Sequence, residues 1–207
     1  MKTDRYMKHY DNFLKDNLDL FLLRELETLT TYAWEDFNRN ESHMKEYYGE
    51  GQFINKIRQY LHSKKCIEWV EKESGLGGLV IDAYGTGEGV SLMESKDHLD
   101  PHIDFDWNER IKLYRAVNLT VYLGTVTGGE FTVWDEDMKM VTFSKSPKHN
   151  SAILFPHSET KAHGVKPVTS GQRYAIRQFY YRSEAISDNA HQSLYWYNPK
   201  KQMPTNT

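Results

Sequence analysis

A chain of 207 residues is long enough to bury one core, and its composition gives no reason to divide it into two. A net charge of -3 leaves no basic surplus to neutralise phosphates, which excludes nucleic acid as an obligatory partner. With Cys66 as the only cysteine, an internal disulfide and a cysteine zinc cluster are excluded, and a reducing compartment is expected.

The start, Met1-Lys2-Thr3-Asp4-Arg5, is charged and lacks the apolar stretch of a secretory signal. No apolar run reaches the ~18 residues of a membrane span, so a soluble, cytoplasmic chain without a membrane partner is expected. Nothing in the sequence sets an oligomeric state.

From Tyr6 to about Asn38 apolar residues recur at three- and four-residue steps, through Tyr10, Phe13, Leu14, Phe21, Leu22, Leu26 and Leu29. That rhythm predicts a helix, interrupted near Asp16-Asn17. A second helix is predicted from Gln52 to about Ser74, stopped by Gly75, with Cys66 as a small buried apolar residue on it.

After Gly75 the pattern changes to short or alternating apolar runs between Gly, Asp, Asn and Pro. Strands are predicted over Gly78–Tyr84, Val90–Glu94, His102–Phe105, Ala116–Leu123, Gly129–Trp134, Met140–Phe143, Ser151–Phe155, Lys161–Val165 and Tyr174–Tyr181. Helices followed by many short strands predict an α+β fold: a jelly-roll core over residues 75–182, buttressed by a helical support over residues 1–74. The tail, residues 183–207, shows no period and is expected to be irregular.

Within this frame two histidines and an aspartate stand out. On a strand, residues i and i+2 share a face, so His102 and Asp104 present an imidazole and a carboxylate side by side. His163, from another strand, would complete a facial triad, a donor set that leaves open positions on Fe(II). Arg173 starts a run whose alternate members, Arg173, Ala175, Arg177 and Phe179, share one face. A guanidinium fork near such a triad suits the far carboxylate of a dicarboxylate whose other end chelates the metal. The alternation of Asn118, Thr120 and Tyr122 puts those three on one face as well.

The motifs His102-Ile103-Asp104-Phe105, Arg115 through Leu123, Gly128-Gly129-Glu130-Phe131, Phe155-Pro156, His163-Gly164-Val165-Lys166-Pro167-Val168 and Gly171-Gln172-Arg173-Tyr174-Ala175-Ile176 run in a familiar order. Together they resemble the prolyl 4-hydroxylase-like branch of the 2-oxoglutarate/Fe(II) oxygenases, from about Gly75 to Tyr181. The resemblance implies a double-stranded β-helix, with His102, Asp104 and His163 as iron ligands and catalytic centre. It implies Arg173 on the 5-carboxylate of 2-oxoglutarate, with Tyr122 helping to hold it. O2 as co-substrate and ascorbate as reductant are implied in the same way, as is hydroxylation of a C–H in a peptide or small-molecule substrate. Asp104 speaks against a halogenase, which has a small residue there.

The chain departs from the family pattern at Gly124, where an asparagine is frequent, and lacks the tryptophan common before the Gly128-Gly129 turn. Both bear on substrate more than on metal. Arg177, with the parity of Arg173, either binds an anionic substrate or meets an acidic residue at the barrel mouth. Trp107, like Asp106, either lines the substrate entrance or sits on an exposed loop, and Asn118 is the third candidate for substrate contact. His98 is too far from His102 along an extended chain to share its ion. The Gly85–Gly89 stretch lacks the Lys-Ser/Thr ending of a phosphate loop and is expected to be a connection that closes over the site. Two other readings remain at this point: a cupin-type metalloenzyme without 2-oxoglutarate, and a non-catalytic binding or sensing module.

Overall fold

In the computed structural model, which describes residues 7–39, 42–157, 162–185 and 195–196, the first element is a strand and not a helix. β1 (Lys8–Asp11) is followed by α1 (Leu18–Glu27), a 3-10 turn (Thr31–Ala33) and the antiparallel pair β2 (Glu35–Arg39) and β3 (Ser42–Tyr47). α2 (Gln52–His62) and α3 (Lys64–Ser74) come next. The strands β4 (Val80–Ile81), β5 (Gly89–Met93), β6 (Leu99–Ile103), β7 (Trp107–Asn108) and β8 (Leu113–Leu123) then begin the β body. It continues through β9 (Val126–Gly128), β10 (Phe131–Trp134), β11 (Val141–Lys145), β12 (Ser151–Pro156), β13 (His163–Val165), β14 (Val168–Gly171), β15 (Arg173–Arg182) and β16 (Tyr195–Trp196).

The predicted long first helix is thus corrected to the ten residues of α1. Asn12, Asp16 and Asn17 have φ of 52°, 57° and 56°, and left-handed backbone so closely spaced cannot belong to a right-handed helix. The apolar rhythm that suggested helix comes from residues that pack from other geometries: Phe13 lies against Trp69 at 5.4 Å and Tyr60 at 6.1 Å. The predicted second helix is two. Ser63, with ψ 147°, ends α2, and its Oγ accepts the Cys66 amide at 3.2 Å to cap α3. Gly75, at φ 74°, closes α3 as expected. The start of α2 is capped from outside, by Glu25 of α1, whose carboxylate accepts the amides of Phe53 and Ile54 at 2.9 and 2.8 Å.

Two sheets form the jelly roll. The larger has nine strands in the order β1-β12-β8-β15-β5-β3-β2, with β4 added to β15 and β7 to β8. The smaller has five, in the order β11-β10-β13-β6-β16. β16 corrects the expectation of a wholly irregular tail, since Tyr195 and Trp196 pair with Ile103 and His102, a strand too short to show a period. Tyr6, Lys161 and the rest of the tail beyond residue 185 lie outside the described residues.

Alternation decides what each face of the larger sheet does. On β8, Val117, Leu119, Val121 and Leu123 point one way and join the buried cluster that holds Leu22, Leu26, Ile57, Leu61 and Val70 of the three helices. Ala152 and Leu154 of β12, and Tyr174, Ile176 and Tyr180 of β15, join the same cluster. The opposite faces carry Tyr122, Ile153, Phe155 and Ala175, which pack on Phe131 and Val133 of the smaller sheet. Cys66 is buried in the first cluster, its Sγ 3.5 Å from the Tyr180 hydroxyl, and burial pushes its thiol pKa up, so it is a packing residue.

Tyr180 ties helix to sheet most directly: fully buried, it donates its hydroxyl to the Leu61 carbonyl at 2.9 Å, across from the end of α2. Tyr180→Phe leaves that carbonyl without its donor and is expected to lower stability by about 1–2 kcal/mol. Urea unfolding should show a lower midpoint with an unchanged slope.

Candidate active site

The inner faces of the two sheets enclose a cavity of about 220 Å³. His102 stands on β6 and His163 on β13, and the pairing of these strands sets the two residues directly opposite each other, ring centroids 4.5 Å apart. Asp104 is not on a strand as predicted, because β6 ends at Ile103. Its carboxylate nevertheless turns back to both rings, with Oδ1 3.4 Å from His102 Nε2 and Oδ2 3.6 Å from His163 Nε2. One ligand atom from each residue lies within 4.8 Å of the other two.

The orientation of His102 follows from its other nitrogen. Nδ1 is 2.9 Å from the Asp100 carbonyl, which only accepts, so Nδ1 carries a hydrogen and Nε2 is the nitrogen turned towards the Asp104 carboxylate. Such a carbonyl partner is the usual orienting device behind a metal-binding imidazole. Two imidazoles and a carboxylate converging on one point are a donor set used by non-haem Fe(II). The residues fit the ion.

Arg115 was not singled out for a role by the sequence reading, yet it organises the carboxylate. Its Nη1 donates to Asp104 Oδ2 at 2.7 Å, and its guanidinium lies between the rings of Phe105 and Phe179, 4.0 and 3.7 Å from their centroids. Arg115 is 1% exposed, and a buried arginine needs such partners. The signal was present in the sequence, as a charge at the head of the apolar run Ala116-Val117. Burial by itself would raise the Asp104 pKa, but Arg115, then the two histidines, hold it well below the usual carboxylate range. Asn118 adds a long contact, Nδ2 to Asp104 Oδ2 at 3.5 Å, which places it behind the carboxylate.

On β15, Arg173, Ala175, Arg177 and Phe179 all line the cavity, as do Thr120 and Tyr122 of β8. Arg173 is 3% exposed and has no acidic partner among the described residues. Nε donates to the Gly129 carbonyl at 3.1 Å, and the guanidinium carbon is 4.8 Å from the Tyr122 ring centroid. Burial lowers the Arg173 pKa and the Tyr122 hydroxyl opposes that, while burial raises the Tyr122 pKa. Gly129, at φ 68°, makes room: a Cβ there would come within 3.0 Å of Arg173 Cδ.

Arg177 meets an acid from a strand that was missed at the sequence level. Its Nη2 is 2.5 Å from Glu46 Oε1 on β3, and Tyr48 donates its hydroxyl to the same carboxylate. Glu46 and Tyr48 line the cavity too. Their alternation with Met44 was hidden because β2 and β3 flank a short polar turn inside a stretch with no clear apolar period.

Trp107 and Asp106 are not among the cavity-lining residues. Trp107 Nε1 donates to Glu109 at 2.7 Å and its ring lies 4.8 Å from Tyr114, while Asp106 is buried and its carbonyl accepts the Arg115 amide. His98 pairs with His43 through backbone hydrogen bonds, away from the cavity. Gly87 does line it, held by the Asp82 carboxylate, which accepts the amides of Tyr84 and Thr86 at 2.8 and 3.0 Å.

Residues 89–181 match the family model of the 2OG-Fe(II) oxygenase superfamily. Over 80 residues, or 38% of this chain, the sequence is 36% identical to prolyl 3-hydroxylase 2 of Gallus gallus, of whose length the match covers 12%. In fold the chain is similar to a viral collagen prolyl hydroxylase from Paramecium Bursaria Chlorella virus-1, with a TM-score of 0.59 at 19% identity, covering 86% of this chain and 97% of that one. It is also similar to a Pseudomonas putida prolyl-4-hydroxylase, with a TM-score of 0.57 at 14% identity, covering 87% and 94% of the two chains. The family match thus falls on the very strands that carry the histidines and arginines: residues 89–181 match the 2OG-Fe(II) oxygenase superfamily, and the chain is similar to prolyl hydroxylases in sequence over part of its length and in fold over most of it.

Proposed function

We propose that the protein is a non-haem Fe(II)- and 2-oxoglutarate-dependent dioxygenase that hydroxylates a C–H bond of a peptide or small-molecule substrate. In this reaction one atom of O2 enters the C–H bond and the other enters succinate, as 2-oxoglutarate loses CO2. Iron would be held by His102, Asp104 and His163 and would supply the site where O2 is activated.

The observation that carries the proposal is Arg173: a buried guanidinium with no acid beside it among the described residues, lining the same cavity as the three metal-type ligands. Burying a cation without a counter-charge is costly, and a dicarboxylate that reaches the cavity removes that cost. Arg173 and the Tyr122 hydroxyl would hold the 5-carboxylate, and the length of 2-oxoglutarate would bring its other end to the ligand cluster. A cupin-type reaction without a co-substrate has no use for this cation, and a non-catalytic module would have little reason to keep two histidines, an aspartate and an arginine in register.

The remaining residues keep their partners in place. His102 is oriented through Nδ1 by the Asp100 carbonyl, so Nε2 is the nitrogen that would meet the metal. Arg115 occupies Asp104 Oδ2, leaving Oδ1 on the side of His102 Nε2 free to bind a metal. Phe131 and Phe155 pack on the His163 ring at 5.7 and 5.3 Å and shield that side of the site from water.

The first test is succinate formation by anaerobically purified protein given Fe(II), 2-oxoglutarate and then O2. Wild type should form succinate slowly even without substrate, His102→Ala should form none, and Arg173→Ala should raise the KM for 2-oxoglutarate about ten-fold or more. Absence of both succinate and the visible Fe(II)–2-oxoglutarate charge-transfer band in wild type would rule the proposal out. A second prediction concerns Arg115. Arg115→Met should weaken Mn(II) binding, measured by equilibrium dialysis without O2, by about 10–100-fold while the circular dichroism spectrum stays native. Unchanged affinity would show that the Asp104 carboxylate needs no support from Arg115.

A further inference from the structure

We propose that the primary substrate is a free α-amino acid with an uncharged side chain, its carboxylate taken by Arg177 and its ammonium by Glu46. This rests on the dioxygenase reading above and names the substrate class for the same cavity.

Three adjacent strands of the larger sheet build the recognition site. Ala175 of β15, Ser91 of β5 and Glu46 of β3 stand in one cross-strand row, and all three line the cavity. One step along, on the same face, Arg177 stands opposite Gly89. Because Gly89 has no side chain, Tyr48 lies over it; a Cβ there would come within 3.1 Å of the Tyr48 ring. Arg177 then reaches across the glycine to Glu46, to an Nη2–Oε1 distance of 2.5 Å. Tyr48 holds the other carboxylate oxygen.

This ion pair differs from a structural one in two respects. It lies on the wall of the cavity, not behind it. Its guanidinium also stays partly open, the Arg177 side chain being 20% exposed where that of Arg115, paired with Asp104, is 1% exposed. Arg173 is four residues away on the same strand face, ~13 Å at ~3.3 Å per residue, so the two guanidinium groups serve different carboxylates.

A cation and an anion side by side are complementary to a zwitterion. The interior of a peptide chain offers neither charge, and binding it there would leave both groups desolvated against neutral amides. A free amino acid supplies a carboxylate and an ammonium from a single carbon. Phe37, Met44, Phe105 and Phe179 line the same cavity beside the uncharged Ser91 and Thr120, and the one further cation among those rings, Arg115, is already paired with Asp104, a wall suited to an uncharged side chain. Size agrees: about 220 Å³, to be shared with 2-oxoglutarate, falls below the ~300–1,000 Å³ typical of drug-sized ligand sites.

The test is anaerobic calorimetric titration of the Fe(II)- and 2-oxoglutarate-loaded protein with each of the common free amino acids. The tightest binder is then titrated as its N-acetyl and its C-amide derivative. Saturable binding of an amino acid with an uncharged side chain is expected, with each cap weakening it about ten-fold or more. Arg177→Gln should weaken the free amino acid by a similar factor but change the C-amide little, and Glu46→Gln should weaken the free amino acid but change the N-acetyl derivative little. The capped ligands are measured on wild type, so the result stands even if a variant fails to fold. Capped derivatives or short internal peptides that bind as tightly as the free acid would overturn the proposal, as would no binding by any amino acid. If no amino acid binds while wild type still turns 2-oxoglutarate into succinate, the substrate class falls and the dioxygenase reading stands. If the charge-transfer band is missing as well, both fall.

Discussion

The pairing of β8 with β15 is the constraint on which the rest depends. It runs from Tyr174 opposite Leu123 to Arg182 opposite Tyr114, and side chains alternate strictly along most of it. A slip of one residue would send Arg173 and Arg177 into the helical core and bring Tyr174 and Ile176 into the cavity. Burying two guanidinium groups among Leu22, Leu61 and Val70 would be far worse than any gain, so the register is specified by the chemistry of both faces at once. The helices matter to the site through this: the apolar surface they present fixes which side of β15 is the inner one.

The second sheet supplies the other half by a different device. β6 and β13 come from distant parts of the chain, and their pairing places His102 and His163 face to face without help from a loop. Asp104, just past the end of β6, has no ladder to hold it. Arg115, rooted on β8 of the opposite sheet and wedged between two phenylalanine rings, does that work. The ligand cluster is therefore a joint product of both sheets, with one buried ion pair bridging them. Within the cavity the two other arginines contrast: Arg177 has Glu46 beside it, whereas Arg173 meets the Gly129 carbonyl, the Met93 sulfur and the Tyr122 phenol, with no acid among the described residues.

Much of this was legible in the sequence because β8 and β15 are long and strictly alternating, so that face assignments made from parity alone could be read for Tyr122, Arg173, Ala175 and Arg177. The His102, Asp104 and His163 cluster could be suspected from spacing, but its closeness depends on a strand pairing that no local pattern reveals. What was not legible has physical causes. The polar strand β3 carries Glu46 with too few apolar residues to show a period of two, so the acidic partner of Arg177 had no address. The helix expected from Tyr6 to about Asn38 is α-helical only over Leu18–Glu27, because apolar residues at three- and four-residue steps also arise when a chain with left-handed turns at Asn12, Asp16 and Asn17 packs short pieces on one sheet. Arg115 was visible but uninterpretable until its partner Asp104 came within reach.

The cavity itself follows from residue size along one row. Tyr122, Ala175, Ser91 and Glu46 stand side by side across four strands of the larger sheet, large at both ends and small in the middle. Protein interiors close over any gap that side chains can fill, so an open space between two packed sheets requires residues that decline to fill it. Ala175 and Ser91 do so at the centre, while Gly89 and Gly129 make room for the Tyr48 ring and the Arg173 stem. Around that floor stand the polar groups, Tyr122 with Arg173 on one side and Glu46 with Arg177 on the other. Ala175 separates Arg173 from Arg177 along β15, so the two guanidinium groups stand at different places on one wall. A single sheet face thus encodes both the space and the charge pattern that selects what enters it.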